Sequence, residues 1–149
     1  MMKKAVIVYA SRHHGNTRTL VEAISGRFGA DLIDAACVHQ ADLSGYDLIG
    51  FASGIDFGTF YTPVLDFLRE NLPNGKQVFF LYTCASVSPR FTKQVREEAH
   101  KKDACPLGEY GCRGYNTYGP WKLIGGMNRN HPTRAEIDGA LAFFQTLCN

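Results

Sequence analysis

The stretch Val6-Ile-Val-Tyr-Ala-Ser11-Arg-His-His-Gly15-Asn-Thr17 constrains the fold more than any other part of the chain. An apolar, β-branched run gives way to a short polar loop, and the pattern then changes period. Leu20, Val21, Ile24 and Phe28 recur along one face of a helix. The loop therefore falls at the carboxyl end of a buried strand, where open α/β sheets bind their ligands.

The loop has the chemistry of a phosphate cradle. Ser11 and Thr17 offer hydroxyls, Asn16 an amide, and Gly15 lets the backbone approach closely. The helix that starts there has N–H groups without intrahelical partners, and its dipole favours negative charge at that end. Arg12, His13, His14 and Arg18 add positive charge. A glycine after a strand also serves as a plain turn, but the Asn-Thr and helix that follow favour the phosphate reading.

Strand and helix signals alternate along most of the chain, which implies an α/β fold with a parallel sheet. Strands are expected at Ala5-Tyr9, Leu32-Ala35, Leu48-Ala52 and Val78-Tyr82. Thr62-Pro63 starts a helix, with Thr62 as N-cap, and Pro73-Asn74-Gly75 ends it. Ser88-Pro89 repeats the start signal ahead of Phe91, Val95 and Ala99. Thr133-Arg-Ala-Glu136 fits a capping box before the apolar face Ile137, Ala140, Leu141 and Phe144. A fifth strand is expected within Cys105 to Pro132, a region rich in glycine and aromatic residues whose long loop suits either a functional lid or irregular packing.

With 149 residues, 45% of them hydrophobic, the chain can bury one substantial core, and no linker-like shift in composition divides residues 1–149. The 16 basic and 14 acidic residues nearly balance at a formal charge of +2. That balance points to neither nucleic acid nor an anionic membrane surface. Met1-Met-Lys-Lys leads into the first strand without an apolar signal segment, and no apolar run is long enough to span a bilayer, so the expected location is the cytoplasm. The five cysteines, at 37, 84, 105, 112 and 148, are odd in number and form no C-x-x-C pair, so they are read as thiols. Cys105 and Cys112 lack the close paired spacing of structural zinc and are expected to be buried and unreactive.

Two further loops share the edge of the sheet with the first. The third strand ends in Ser53-Gly54-Ile55-Asp56-Phe57-Gly58-Thr59-Phe60-Tyr61, which combines glycines, a carboxylate and aromatic rings suited to packing against a flat ring system. Phe57, Phe60 and Tyr61 are equally suited to packing in the core beneath such a loop. The fourth strand ends in Thr83-Cys84-Ala85-Ser86, small residues that leave room for a planar ligand.

These three loops resemble those of the small FMN-binding flavodoxins, with Ser11 to Thr17 matching the phosphate loop, Ser53 to Tyr61 the second flavin loop and Thr83 to Phe91 the third. The segment Gly111 to Pro132 is similar to a bacterial branch of flavodoxin-like proteins. The resemblance implies a flavodoxin-like three-layer sandwich with a five-stranded parallel sheet in the order 2-1-3-4-5, and FMN at the topological switch point. It places Ser11, His13, His14, Gly15, Asn16 and Thr17 on the phosphate, with Arg12 lending charge. Ser53, Gly54, Ile55, Asp56, Phe57, Thr83, Cys84, Ala85 and Ser86 would flank the isoalloxazine, with Tyr61 among the loop's aromatic rings. Gly54 or Gly58 would supply the peptide that turns its carbonyl toward N5 of the one-electron-reduced cofactor.

The chain departs from the family in two ways. Arg12-His13-His14 inserts charge and one extra residue into a loop that is usually hydroxyl-rich and uncharged, so histidine protonation is expected to strengthen phosphate binding near the ordinary imidazole pKa of about 6.5. The slightly basic charge contrasts with strongly acidic flavodoxins and implies a less negative potential for the second electron. The third loop lacks the usual stacking tyrosine, which leaves Phe91 or Tyr115 as substitutes. The implied function is electron transfer between unidentified redox protein partners, a reductase and an acceptor. The alternative is an FMN-dependent NAD(P)H or quinone oxidoreductase, with Tyr115 to Trp121 shaping a substrate pocket. A metal-binding receiver and a P-loop hydrolase both lack their signatures, because Ser11 and Arg12 stand where paired acids belong and Gly15 is not followed by Gly-Lys-Ser/Thr.

Overall fold

The first strand runs through the middle of the sheet because neither of its faces can meet water. All six residues of β1 (Ala5–Ala10) are buried. β1 pairs in parallel with β2 (Asp31–Asp34) on one side and with β3 (Leu48–Asp56) on the other. β3 also pairs in parallel with a later strand, and between the two the chain forms β4 (Thr59–Phe60), which folds back antiparallel on the end of β3. The later strand, β5 (Gln77–Cys84), pairs in parallel with β6 (Cys105–Arg113). The computed structural model describes residues 2–12, 15–114 and 131–148.

The sheet order is β2-β1-β3-β5-β6, with β4 attached to β3. The five parallel strands, counted in chain order, therefore run 2-1-3-4-5 as the resemblance implies. The addition is β4, which falls inside the expected second loop. β3 continues four residues past its expected end and turns back through Phe57-Gly58. Phe57 (φ 52°) and Gly58 (φ 79°) both take positive φ, as a type I′ hairpin turn requires. Phe-Gly is a poor signal for such a turn, whose first position ordinarily holds Asn, Asp or Gly.

Helices cover both faces of the sheet. α1 (Asn16–Phe28) and α4 (Arg134–Cys148) close over Ile7, Leu48, Phe79 and Leu81, with Leu20, Ile24, Ala140 and Phe144 pointing inward. α2 (Thr62–Asn71) and α3 (Lys93–His100) close over Val6, Val8, Phe51 and Phe80 with Val64, Leu68 and Val95. Strands covered on both faces read as near-continuous apolar runs, which is why they are legible in this sequence.

The local signals meet mixed outcomes. Tyr61, not Thr62, is the N-cap of α2, and Thr62 is its first helical residue. Pro89–Thr92 forms a short 3-10 turn, and the regular helix begins only at Lys93. The capping box of α4 is present, with the Glu136 N–H donating to Thr133 Oγ1 at 3.2 Å and the Thr133 N–H donating to Glu136 Oε1 at 2.9 Å. Cys112 is buried, but Cys105 is exposed, because it opens a strand whose first residues face solvent. Among the described residues, no helix is long and apolar enough to cross a membrane, and no three His, Cys, Asp or Glu side chains gather as a metal site.

Candidate functional site

α1 and α2, which follow adjacent strands β1 and β3, pack on opposite faces of the sheet. The chain thus diverges between these strands at their carboxyl ends, and a crevice opens there. Gly15 caps α1 in the left-handed conformation (φ 66°, ψ 29°), without a side-chain cap and with no acidic residue in the first turn. The positive end of the helix is therefore presented to the crevice without a competing carboxylate. Ser11 Oγ accepts the Arg18 N–H at 3.2 Å, which holds the start of the loop against the first turn of the helix. His13 and His14 lie outside the described residues.

Three contacts draw the loops together. Thr17 Oγ1 lies 2.9 Å from Thr83 Oγ1, which joins the first turn of α1 to the end of β5. The Arg12 guanidinium stands 3.7 Å from Asp56 and 4.3 Å from the centroid of the Tyr61 ring, which joins the first loop to the second. The Gly114 N–H donates to the Cys84 carbonyl at 2.9 Å, and a β-carbon at Gly114 would lie 2.5 Å from Asn16 Nδ2. Gly114 lies outside the three loop motifs. Its only signal in the sequence is a glycine directly after a strand.

The second loop is held from below. Ser53 is fully buried and donates its hydroxyl to the Gly54 carbonyl at 2.5 Å, while accepting the Tyr61 N–H at 2.8 Å. Tyr61 is buried as well, and a β-carbon at Gly54 would sit 2.3 Å from its hydroxyl oxygen. Ser53 and Tyr61 thus position the loop, and the open surface above falls to Ile55, Asp56 and the hairpin tip. Phe60 packs in the core against Phe80, whereas Phe57 is 100% exposed.

Between the second and third loops lies a cavity of about 360 Å³ lined by Ile55, Gly58, Cys84, Ala85, Ser86, Val87, Ser88, Arg90 and Phe91. Its size falls within the range of about 300–1,000 Å³ common for small-molecule sites. The third loop is fixed by Tyr82, which donates its hydroxyl to the Ser88 carbonyl at 3.1 Å and meets the Phe91 ring edge-on. Val87, Ser88 and Arg90 extend the wall beyond the four residues expected from the sequence. Phe91 lines the cavity, and Tyr115 lies outside the described residues. Burial pushes the Cys84 thiol up to about 11, so it stays protonated and neutral beside the cavity at ordinary pH.

Positive charge is arranged differently from the sequence expectation. Arg18 turns away from the loop toward Asp34 at 3.6 Å and Glu22 at 3.7 Å. Asp34 at the end of β2 and Glu22 on α1 satisfy it, and Arg12 pairs with Asp56. The Arg12–Asp56 pair is about half exposed and contributes at most about 1 kcal/mol to stability, so its consequence is geometric. A second hollow, of about 520 Å³, borders the other side of Arg12 and is lined in part by Asp66 and Glu70. Its carboxylates have the wrong sign for a phosphate.

Residues 6–112 match the family described as "Flavodoxin domain". An uncharacterized protein of Methanocaldococcus jannaschii is 36% identical over 146 residues, which is 97% of each chain. Among solved structures, flavodoxin from Fusobacterium nucleatum bound to flavin mononucleotide superposes with a TM-score of 0.66 at 12% identity, covering 99% of this chain and 100% of that one. Rubredoxin oxygen:oxidoreductase of Desulfovibrio gigas gives a TM-score of 0.71 at 17% identity over 96% of this chain and 34% of that larger one. The chain belongs to the flavodoxin family.

Proposed function

We propose that this chain is a single-domain, cytoplasmic electron carrier that holds FMN at the carboxyl edge of its sheet and passes electrons between a separate reductase and an acceptor protein. FMN is the cofactor of the family to which the chain belongs. When bound, it takes up and releases electrons. The observation that carries the reading is the convergence of three loops on the switch point, tied by the Thr17–Thr83 and Arg12–Asp56 contacts beside an open cavity.

Ser11, Gly15 and Asn16, with the backbone N–H of Thr17, hold the phosphate through hydroxyl, amide and backbone donors at the start of α1, while the buried Thr17 hydroxyl bonds Thr83. Arg12 ties this loop to Asp56, and the adjacent His13 and His14 supply positive charge when protonated. Ile55, Asp56, Cys84, Ala85 and Ser86 flank the ring, with Phe57 projecting beyond them at the hairpin tip, and the protonated Cys84 keeps that wall uncharged. Ser53, Tyr61 and Thr83 are positioning residues that set the height and spacing of the loops. A hydrogen-bond acceptor for the reduced ring comes from the Gly54 or Gly58 peptide. Gly58 has the advantage, since it lines the cavity at the exposed hairpin tip while Gly54 lies over Tyr61.

The reading is tested by titrating the purified chain with FMN while following its visible spectrum, then adding NADPH without oxygen. A yellow protein that NADPH bleaches only when a separate reductase is present supports the carrier. Direct bleaching assigns it instead as an FMN-dependent oxidoreductase, and absence of FMN binding overturns both.

A further inference from the structure

The cavity edge has a charge that the balanced composition of the whole chain conceals. Among the described residues around it, the carboxylates of Asp56, Glu109 and Glu136 are engaged within the chain, Glu109 accepting the Thr92 hydroxyl at 2.8 Å and standing 4.0 Å from Arg96, while Glu97 lies one helical turn from Lys93. Asp56 pairs with Arg12 at 3.7 Å. Glu136 accepts the Thr133 N–H at 2.9 Å and the Arg113 N–H at 3.1 Å, and it also bonds His131. Arg90, Lys93 and Arg113 enter no ion pair among the described residues.

One of these cations lines the cavity and the other two sit on elements that border it. Arg90 lines it, and Arg113 pairs in register with Cys84, which also lines it. Lys93 precedes Gln94, whose side chain accepts the Thr59 hydroxyl at 2.9 Å and so brings the start of α3 beside the β3–β4 hairpin. Two exposed apolar side chains accompany them, Val87, which lines the cavity at 50% exposure, and Phe57, which is 100% exposed next to the cavity-lining Gly58. Phe57 also occupies a left-handed backbone position that disfavours any residue with a β-carbon. An asparagine would suit that turn better and would leave no ring in water.

We propose that Phe57 and Val87 form the apolar centre, and Arg90, Lys93 and Arg113 the basic rim, of a docking surface for an acidic electron-transfer protein. The proposal rests on the carrier reading and names the charge of its partner. An apolar centre with a charged rim is the usual anatomy of a transient interface. The rim steers the encounter, while the ring sets the distance between redox centres. Acidic carriers of this fold would select the opposite charge in a partner.

The test uses the FMN-loaded protein, photoreduced and mixed by stopped flow with an acidic plastocyanin or with basic cytochrome c at rising salt. One electron passes to each acceptor, reducing Cu(II) to Cu(I) or Fe(III) to Fe(II). The expected result is a plastocyanin rate that falls about tenfold as salt rises, while the cytochrome c rate rises with salt. The double variant R90E/K93E should lower the low-salt plastocyanin rate about tenfold and remove its salt slope. Phe57→Ala should slow plastocyanin reduction while changing FMN affinity less than about threefold.

A rate that falls with salt for cytochrome c overturns the proposal and needs no variant to be read. So does a Phe57→Ala variant that loses FMN about tenfold while keeping its plastocyanin rate, since the ring then covers the cofactor. A dimer that Phe57→Ala disperses overturns it in favour of a second copy of this chain. A protein that binds no FMN overturns the carrier reading itself, and this outcome is visible in the spectrum before any partner is added.

Discussion

The hydroxyl oxygens of Thr17 and Thr83 lie 2.9 Å apart, both buried, although the residues are 66 positions apart in sequence. This bond braces the first turn of α1 against the third loop. Replacing either threonine by valine leaves the other hydroxyl buried without its partner, at an expected cost of about 1–3 kcal/mol, whereas replacing both removes the orphan and recovers much of the loss. Urea unfolding of the four chains checks this, and strictly additive losses would count against it.

Gly54 is required by close approach. An alanine methyl there would meet the Tyr61 hydroxyl oxygen at 2.3 Å and displace the ring on which Arg12 rests. Gly54→Ala is expected to destabilise the chain by about 1–3 kcal/mol and to weaken FMN binding. Adding Tyr61→Phe removes the first atom met but leaves the ring carbon at 2.8 Å, so recovery should be partial. Full recovery, or none, in denaturation midpoints and FMN titrations would refute this geometry.

Alkaline conditions should destabilise the fold. Burial pushes Cys84 up to about 11, and Cys112, Tyr82 and Tyr110 up to about 12. The unfolded chain releases these protons at lower pH, near the ordinary values of about 8.5 for Cys and 10 for Tyr. Between the two ranges the folded state binds more protons, so stability falls as pH rises and is whole below the unfolded values. Thermal melts at stepped pH read this directly, and a flat profile into the alkaline range would contradict it.

Phe57 should limit stability. Phe57→Asn keeps the hairpin while easing the left-handed backbone at that position, with an expected gain of about 1 kcal/mol. The urea midpoint reports the change. A loss of stability would mean that the ring makes a packing contribution in solution.

Much of the fold was legible because its signals are local. The apolar run at β1, the change of period at Leu20 and the capping box at Thr133 and Glu136 each lie within a few residues of chain. The two-residue β4 was not legible, because Phe57-Gly58 is an unusual pair for a type I′ turn and only the pairing of Ile55 with Phe60 reveals it. Arg18 misled for a related reason. Its sequence neighbours have the chemistry of a phosphate cradle, but its spatial neighbour Asp34 ends the adjacent strand.

The alternation of strands and helices, the burial of β1 on both faces and the polar loop that opens α1 can all be read from the chain alone. Those features follow from the periodicity of apolar residues and the chemistry of caps, which act over one or two turns. Three-dimensional packing set the Arg12 bridge to Asp56 and Tyr61, the burial of Ser53 and Tyr61 beneath the second loop, and the full exposure of Phe57. These outcomes depend on which side chains the sheet brings within a few ångströms across long sequence separations, and charge pairing and burial are settled at that range.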